Sequence, residues 1–266
     1  MTRRIAWLNE KGGSGKSTSA LNLSANLASR FGQRVLLVDV DHQANITAVL
    51  SSDESGEHTL TDVFLNDVPA DQAIRKTHYQ NLHILPADAS LAEVNVAMAD
   101  SSSSLGLGRE LRLKRALVPI EGNYDFVILD TAPQRSLLSI NVLNYADEVF
   151  VPLDPGYWSI MGAQRLEELI EQIRTHMDHE TLHISGVLLT KAQPTNVAKE
   201  VEQQVRAYFG DRAFRTTIPL NVKVEEAHSR GLSVLDYAPS SSGAVAYLEF
   251  TKEVLFHGNP EENRIG

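Results

Sequence analysis

One short stretch of this chain, NEKGGSGKSTS at residues 9–19, has the composition of a phosphate-binding loop. Glycine adopts backbone angles that other residues reach only at a cost, so its amides can turn inward as a nest of donors. A helix beginning near Lys16 would add the partial positive charge of its N-terminus. Lys16 would then reach the β- and γ-phosphates, and the Ser17 hydroxyl would ligate Mg²⁺. The glycines of this predicted polyphosphate site are Gly12, Gly13 and Gly15.

The loop departs from the ordinary pattern G-x-x-x-x-G-K-[ST], which requires glycine where this chain has Glu10. The chain reads K-G-G-x-G-K-S-T, so that Lys11 precedes the glycines and a second lysine follows them. Because glycine makes up about 7% of residues, a chance match has a probability on the order of one in ten thousand. A glycine-rich turn without a ligand is therefore a poor explanation, although a merely solvated Lys11 stays open.

Acidic side chains end two further predicted strands, RVLLVDVD and YDFVILD. Ligands of open parallel sheets bind at the carboxyl ends of the strands, so these acids should lie beside the loop. Asp130 can hold a Mg²⁺-bound water, and Asp41 is placed to orient an attacking water. Asp39 either supports the metal site from behind or caps a turn.

The composition excludes several classes of protein. The chain has 266 residues, 42% of them hydrophobic, and contains no cysteine, which rules out disulfides, thiolate catalysis and iron–sulfur clusters. No apolar run is long enough to span a membrane, and the N-terminal residues are too polar for a signal peptide, so a cytoplasmic protein is expected. The histidines at 176, 179 and 183 are interpreted as a solvated helix end rather than a metal site, because no carboxylate motif joins them.

Short apolar runs alternate with amphipathic segments along the whole chain, which predicts an α/β fold. Runs such as VLLVD and FVILD are apolar on both faces, as in a three-layer, mostly parallel sheet covered by helices on both sides. We predict one domain over residues 1–266, with 100–108 as a surface loop and Gly32 as the C-terminal cap of the first helix. The predicted strands are 5–9, 34–39, 81–86, 124–130, 148–152, 184–190 and 214–218. The predicted helices are 16–31, 91–100, 109–117, 137–146, 160–176, 196–209 and 243–256.

The net charge of −10 disfavours nucleic acid as a partner, but the charge is unevenly distributed. Residues 191–230 carry an excess of two positive charges, which allows a weak basic patch. The candidate DNA contacts are Lys191, Lys199, Arg206, Arg215, Lys223 and Arg230.

Three segments in this order, KGGSGKST, VLLVDVDHQAN and YDFVILDTAP, resemble the ParA/Soj family of partition ATPases with a deviant Walker motif. The later segment TIPLNVKVEEAHSRGLSVLDYAPSSSGAVAYLEFTKEVL is similar to the closing part of that family, so the resemblance covers nearly the whole chain. It implies a P-loop NTPase fold, with ATP and Mg²⁺ as cofactors.

The resemblance also implies roles for individual residues. In relatives the lysine that corresponds to Lys11 crosses a dimer interface to the partner's ATP. Asp41 matches the aspartate linked to hydrolysis, and Asp130 matches the Walker B aspartate. Residues 130–135, DTAPQR, match a switch that senses the γ-phosphate. The phosphate cradle is Lys11, Gly12, Gly13, Gly15, Lys16, Ser17 and Thr18, and the segment bordering adenine contains Pro219 and Asn221.

By resemblance, the ATP-bound homodimer binds DNA without sequence preference, and a ParB-type centromere-binding protein stimulates hydrolysis. A cytoplasmic, nucleoid-associated protein of the small type, without an N-terminal DNA-binding domain or membrane attachment, is expected. The sequence departs from the family pattern at two positions: His42 stands where relatives commonly have proline, and Leu220 where they have arginine. The second departure removes a positive charge from the surface where relatives meet DNA, so DNA binding is less firmly expected than nucleotide binding. An ATPase that positions a protein cargo or the division machinery is the alternative, and a small-molecule ligase is a third.

Overall fold

The computed structural model of the protein describes residues 1–51, 57–100, 108–156 and 159–256. Most of the predicted loop at 100–108 and the end of the tail therefore lie outside the described residues. The strands are β1 (Arg3–Trp7), β2 (Val35–Val40), β3 (Arg75–Lys76), β4 (Leu82–Leu85), β5 (Phe126–Thr131), β6 (Glu148–Leu153), β7 (His183–Ala192) and β8 (Ala213–Pro219).

Twelve α-helices are present within the described residues, seven of them longer than six residues. They are α1 (Lys16–Phe31), α2 (Asn45–Leu50), α3 (Leu60–Leu65), α4 (Ala70–Ala73), α5 (Leu91–Ala99), α6 (Arg112–Leu117), α7 (Leu137–Tyr145), α8 (Ser159–His176), α9 (Asn196–Phe209), α10 (Val222–His228), α11 (Val234–Tyr237) and α12 (Ser242–Phe256). No described helix is long and apolar enough to cross a membrane.

The strands form one sheet in the order β3-β4-β2-β5-β1-β6-β7-β8, and β3 is antiparallel to β4 while the other pairs are parallel. The predicted mostly parallel sheet is confirmed. The chain leaves β1 towards one edge, returns through β5, and then continues through β6 towards the other edge. This reversal beside β1 is the position at which open α/β sheets bind ligands.

Helices cover both faces of the sheet, which confirms the predicted three layers. On one face, α1 and α12 pack on alternate residues of the central strands, among them Ile5, Leu37 and Ile128. On the other face, the intervening residues such as Val38 and Leu129 pack against α3, α5, α6 and α7. Helices α8 and α9 cover β6 and β7 on that second face. Because the central strands are buried on both sides, their sequences are continuously apolar.

An ion-paired cluster closes the amino ends of β1 and β6. Arg4 Nε and Nη2 donate to Asp147 at 2.7 and 2.9 Å, and the Thr181 hydroxyl donates to the same carboxylate at 2.6 Å. His179 Nε2 lies 3.6 Å from Asp147 and is only 7% exposed. The prediction of a solvated position is therefore wrong for His179, because the cluster draws it into the base of the sheet.

Candidate nucleotide-binding site

The glycine loop joins the end of β1 to the start of α1, at the point where the sheet changes direction. Gly13 and Gly15 have φ angles of +71° and +93°, which favour glycine because a Cβ would crowd the backbone. Gly15 stands immediately before α1, so the amides of the first helical turn face the loop. The predicted strand–loop–helix unit is confirmed, and it has the geometry of an anion cradle.

Asn9 braces this loop, a role that the sequence reasoning missed. Its side-chain carbonyl accepts a hydrogen bond from the Lys11 amide at 2.9 Å, and its amide donates to the Pro152 carbonyl at 2.7 Å. Its backbone carbonyl accepts from Lys16 Nζ at 3.0 Å. From the other side, the Thr190 hydroxyl donates to the Ser14 carbonyl at 2.8 Å. The ends of β6 and β7 therefore fix the loop before any ligand enters.

Lys16 is a buried cation, with 6% of its surface exposed. Burial lowers the pKa of its ammonium, and the negative charges of Asp130 and Asp41 oppose that shift. A buried ammonium with one neutral partner has further hydrogen bonds to offer, since lysine carries three N–H donors. It is thus placed to hold a phosphate at the mouth of the cradle.

Asp130 is the strongest indication of a metal. It is 1% exposed, and neither carboxylate oxygen has a hydrogen-bond partner among the described residues. Burial and the neighbouring Asp39 raise its pKa well above the ordinary value, whereas Ser17 and Lys16 lower it. The Ser17 hydroxyl lies near the Asp130 carboxylate and lowers its pKa, but it does not form a hydrogen bond with it. Two unpartnered buried oxygens beside a hydroxyl fit Mg²⁺, which prefers oxygen ligands and bridging waters.

Asp39 lies in register with Asp130 on the neighbouring strand. Its carboxylate accepts hydrogen bonds from the Thr47 amide and hydroxyl at 2.9 and 2.7 Å, and from the Asp41 amide at 3.2 Å. Burial raises the pKa of Asp39 to about 6. Of the two roles left open for Asp39, these contacts favour support of the turn, so its participation in the metal site stays a prediction.

Asp41 follows β2 directly and is 7% exposed. One carboxylate oxygen accepts the Gln43 amide at 3.0 Å and lies 3.5 Å from His42 Nδ1. His42, which stands where a proline is expected from the family resemblance, therefore contacts the aspartate that is predicted to take part in hydrolysis. Asp41 lines the same cavity as the glycine loop, as its predicted role requires.

A cavity of about 580 Å³ opens over the loop, within the range of small-molecule sites. Its lining includes the glycine loop and Asp41, and also apolar residues of α1 and α2 together with His228. The structure thus brings together most of the predicted phosphate and hydrolysis residues. The cavity is lined by Gly12, Gly13, Ser14, Gly15, Lys16, Ser17, Thr18, Leu21, Asp41, Gln43, Asn45, Ile46, Ala48, Val49, Pro133, Lys191 and His228.

Lys11 does not line this cavity. Its ammonium forms an ion pair with Asp154, just beyond β6, and 56% of its side chain is exposed. Beside it, Glu10 pairs with Arg135 of the predicted switch segment. The residue that replaces the first glycine of the ordinary motif therefore ties the phosphate loop to that segment.

The predicted adenine segment lies next to the cavity rather than in its lining. Asn221 caps α10, accepting the Lys223 amide at 2.8 Å and donating to Ser242 at the same distance. The Leu220 amide donates to the Ala192 carbonyl at 3.0 Å, so the turns after β7 and β8 run side by side. The contact of Pro219 and Asn221 with a base stays a prediction.

The six candidate DNA contacts fall into two groups. Arg206 is held within the fold by Glu202 and by the carbonyls of Phe214 and Arg215, and Lys223 pairs with Glu226. The others are exposed and form no ion pair within the described residues. These are Lys191, Lys199, Arg215 and Arg230.

Fold and loop together define a nucleotide-binding protein of the P-loop class, with the deviant Walker loop K-G-G-x-G-K-S-T. A family model described as an AAA domain matches residues 2–184. The sporulation initiation inhibitor protein Soj of Bacillus subtilis is 38% identical over 97% of this chain and all of its own. The chromosome partitioning protein ParA of Caulobacter vibrioides is 37% identical over 95% of this chain and 94% of its own.

The protein belongs to the ParA/Soj family of ATPases. Its fold also matches a structure of cobyrinic acid a,c-diamide synthase from Mycobacterium smegmatis with bound ADP and magnesium. That match has a TM-score of 0.81 at 29% identity and covers 98% of this chain and 97% of the other. The family and fold predicted from the three motifs are thus confirmed.

Proposed function

We propose that this protein is an ATP-dependent dimerising switch that partitions DNA, with partner-stimulated hydrolysis. Its relatives named for chromosome partitioning support this assignment. The position of Lys11 is the observation on which the switch depends. Lys11 belongs to the phosphate loop but does not line its own cavity, and its side chain is exposed enough to reach a second molecule.

Within one protomer, the glycine amides and Lys16 bind the phosphates of ATP. The site fits Mg²⁺, which Ser17 would ligate directly and Asp130 through water, and the ion would neutralise charge on the phosphates. Asp41 holds the attacking water and accepts hydrogen bonds from it. Lys16 is already buried and held by the Asn9 carbonyl, so its side chain needs to move little when the nucleotide binds.

Between protomers, Lys11 supplies a cation to the phosphates of the partner's ATP. Two triphosphates that face each other concentrate negative charge, and a lysine from the opposite chain offsets it. ATP therefore favours the dimer, and loss of the γ-phosphate weakens it.

Light scattering of the protein with Mg-ATP or Mg-ADP tests this step. We expect the mass to double with ATP only, and Lys11→Ala to bind ATP yet stay monomeric. Lys252→Ala is the matched control, because Lys252 is also an exposed, acid-paired lysine but lies on α12. A Lys11→Ala variant that dimerises as readily as Lys252→Ala would refute the role of Lys11.

DNA binding without sequence preference is the output of the switch. The strongest candidates are the exposed cations Lys199, Arg215 and Arg230, which form no ion pair in the part of the chain that the structure describes, and dimerisation doubles the phosphate contacts that they make. We expect DNA affinity to be higher with ATP than with ADP and to fall steeply with salt. Equal affinities with the two nucleotides would contradict the coupling.

Acting with a ParB-type centromere-binding protein, the ATPase would cycle on the nucleoid in the cytoplasm. The same switch can carry a protein cargo or division machinery, and a centromere-binding gene immediately downstream would favour DNA. A small-molecule ligase is a further candidate because one similar structure is that of a cobyrinic acid a,c-diamide synthase. Stimulation of ATP hydrolysis by a carboxylic acid metabolite, rather than by a protein partner, would favour the ligase.

A further inference from the structure

Part of the cavity lining differs in chemistry from the glycine loop. It is an apolar wall of Leu21 of α1 and Ile46 and Val49 of α2, with His228 at the end of α10. Because Leu21 lies more than one helical turn beyond Lys16, this wall is displaced along α1 from the glycine amides and Lys16, which serve phosphates. A ligand that fills the cavity therefore places an uncharged, partly apolar group against His228.

The backbone around His228 fixes its position. The Gly231 amide donates to the His228 carbonyl at 3.1 Å, and the Leu232 amide donates to the Ala227 carbonyl at the same distance. Gly231 has a φ of +72°, and a Cβ there would lie 3.1 Å from the Val49 carbonyl. This turn thus packs directly on α2 and holds the histidine at the cavity wall.

The imidazole of His228 is left incompletely bonded. Its Nε2 atom is buried and has no hydrogen-bond partner among the described residues. Burial lowers the pKa of His228, with Glu225 opposing the shift, so the ring is neutral at physiological pH. A neutral imidazole offers one donor and one acceptor, which suit a hydroxyl or a base edge better than a phosphate.

We infer that His228 is a specificity-determining residue that hydrogen-bonds the nucleoside end of the bound triphosphate, beside the apolar wall of Leu21, Ile46 and Val49. This inference rests on the proposed function, because it assumes that a nucleoside triphosphate fills the cavity. The two ends of the ligand are then bound by different elements: the glycine loop binds the phosphates, and His228 at the end of α10 contacts the nucleoside.

Titration calorimetry with ATP and with inorganic triphosphate tests the assignment. We expect His228→Ala to weaken ATP binding about tenfold, the loss of one good hydrogen bond, and to leave triphosphate binding unchanged. His228→Asn, which keeps a polar group, should recover part of the ATP affinity. His78→Ala is the control, since His78 is exposed and lies outside the cavity lining.

The outcomes separate this inference from the proposed function. If the wild-type protein binds neither ligand, both fall. If it binds ATP and His228→Ala binds ATP equally well, or loses ATP and triphosphate by the same factor, only the role of His228 is overturned. Selective loss of ATP, with partial rescue by His228→Asn, supports it.

Discussion

The two lysines of the glycine loop stand five positions apart and have opposite surroundings. Lys16 is buried between Asn9 and the carboxylates of Asp130 and Asp41, whereas Lys11 lies on the surface beside Asp154. Burial and neighbours, rather than residue type, thus distinguish the two lysines, to which we assign phosphate binding and contact with a second protomer.

Replacing Lys16 with Ala should abolish ATP binding. The loop would lose its buried cation, while the carboxylates around it would remain and repel the phosphates. Titration calorimetry should show at least a hundredfold weaker affinity for Lys16→Ala, a loss of about 3 kcal/mol. Unchanged affinity would exclude Lys16 from the phosphate site.

Replacing Asp41 with Ala should trap the ATP-bound dimer, since the attacking water loses its partner while the phosphate cradle stays intact. Light scattering with ATP and a phosphate-release assay measure the two effects. Asp41→Asn keeps an acceptor for the Gln43 amide and so separates the catalytic role from the shape of the turn. A variant that stays monomeric with ATP would mean that Asp41 serves binding instead.

At the scale of secondary structure, the strand–loop–helix unit is what positions the site. Trp7 at the end of β1 is in register with Asp130 on β5, and Asp130 is in register with Asp39 on β2. The register of three parallel strands therefore brings the loop and the acids to one level. Their separation along the sequence does not matter once the sheet has formed.

Replacing Gly15 with Ala should destabilise the nucleotide-free protein. Its φ of +93° belongs to the left-handed region, which costs a residue with a Cβ about 1–2 kcal/mol. Gly12→Ala is the matched control, because Gly12 has no positive φ and open space around its Cα. Denaturant unfolding should show a lower free energy of unfolding for Gly15→Ala only. Equal unfolding midpoints for the two variants would contradict the expected backbone strain at residue 15.

The long elements could be predicted from the sequence, because their patterns extend over enough residues to be distinctive. The predicted helices 16–31 and 196–209 match α1 and α9, and Gly32 caps α1 by donating to the Leu27 carbonyl. The two-residue β3 and the short α2, α3, α4, α10 and α11 were missed, since one or two turns carry too little periodicity.

The chemistry of the site was predictable where a local motif or the end of an apolar strand marks the residue. The loop motif placed the lysines and glycines, and strand ends placed the acids. The role of Asn9 was missed because it depends on a contact with Pro152, which no spacing rule connects to it. His228 was missed because only the folded chain brings it into the lining of the same cavity as the glycine loop. Asp39 stayed ambiguous because only the fold shows that Thr47 occupies its carboxylate.

At the scale of the whole molecule, the nucleotide site and the ion-paired cluster of Arg4, Asp147, His179 and Thr181 lie at opposite ends of the sheet. Burial alone would raise the pKa of Asp147, but the nearby imidazole of His179 and hydrogen bonds from Arg4 and Thr181 hold the pKa far below the ordinary value. We therefore expect this cluster to stabilise the base of the sheet, at the end opposite the glycine loop.

Asp147→Asn should lower the free energy of unfolding by about 2 kcal/mol at pH 7, as expected for lost hydrogen bonds to a charged group. Because the folded pKa is depressed, this contribution is present above the unfolded pKa of about 3.9 and disappears as the pH falls further. Denaturant unfolding from pH 7 to pH 3 should show the difference from wild type shrinking below about pH 5. Glu171→Gln, in an exposed pair, should change little, and a pH-independent difference would count against the cluster.

The ion pair of Lys11 with Asp154 also bears on how dimerisation should depend on salt concentration. If Lys11 moves to the partner's triphosphate, it leaves the carboxylate of Asp154 and pairs with a phosphate instead. The number of ion pairs that Lys11 makes is then the same in the monomer and in the dimer. The dimerisation constant should then change little with added salt. The affinity for DNA should fall steeply with salt, because DNA releases condensed counterions when the protein binds. Raising the potassium chloride concentration would strip nucleic acid from the assembled pair long before the pair itself comes apart.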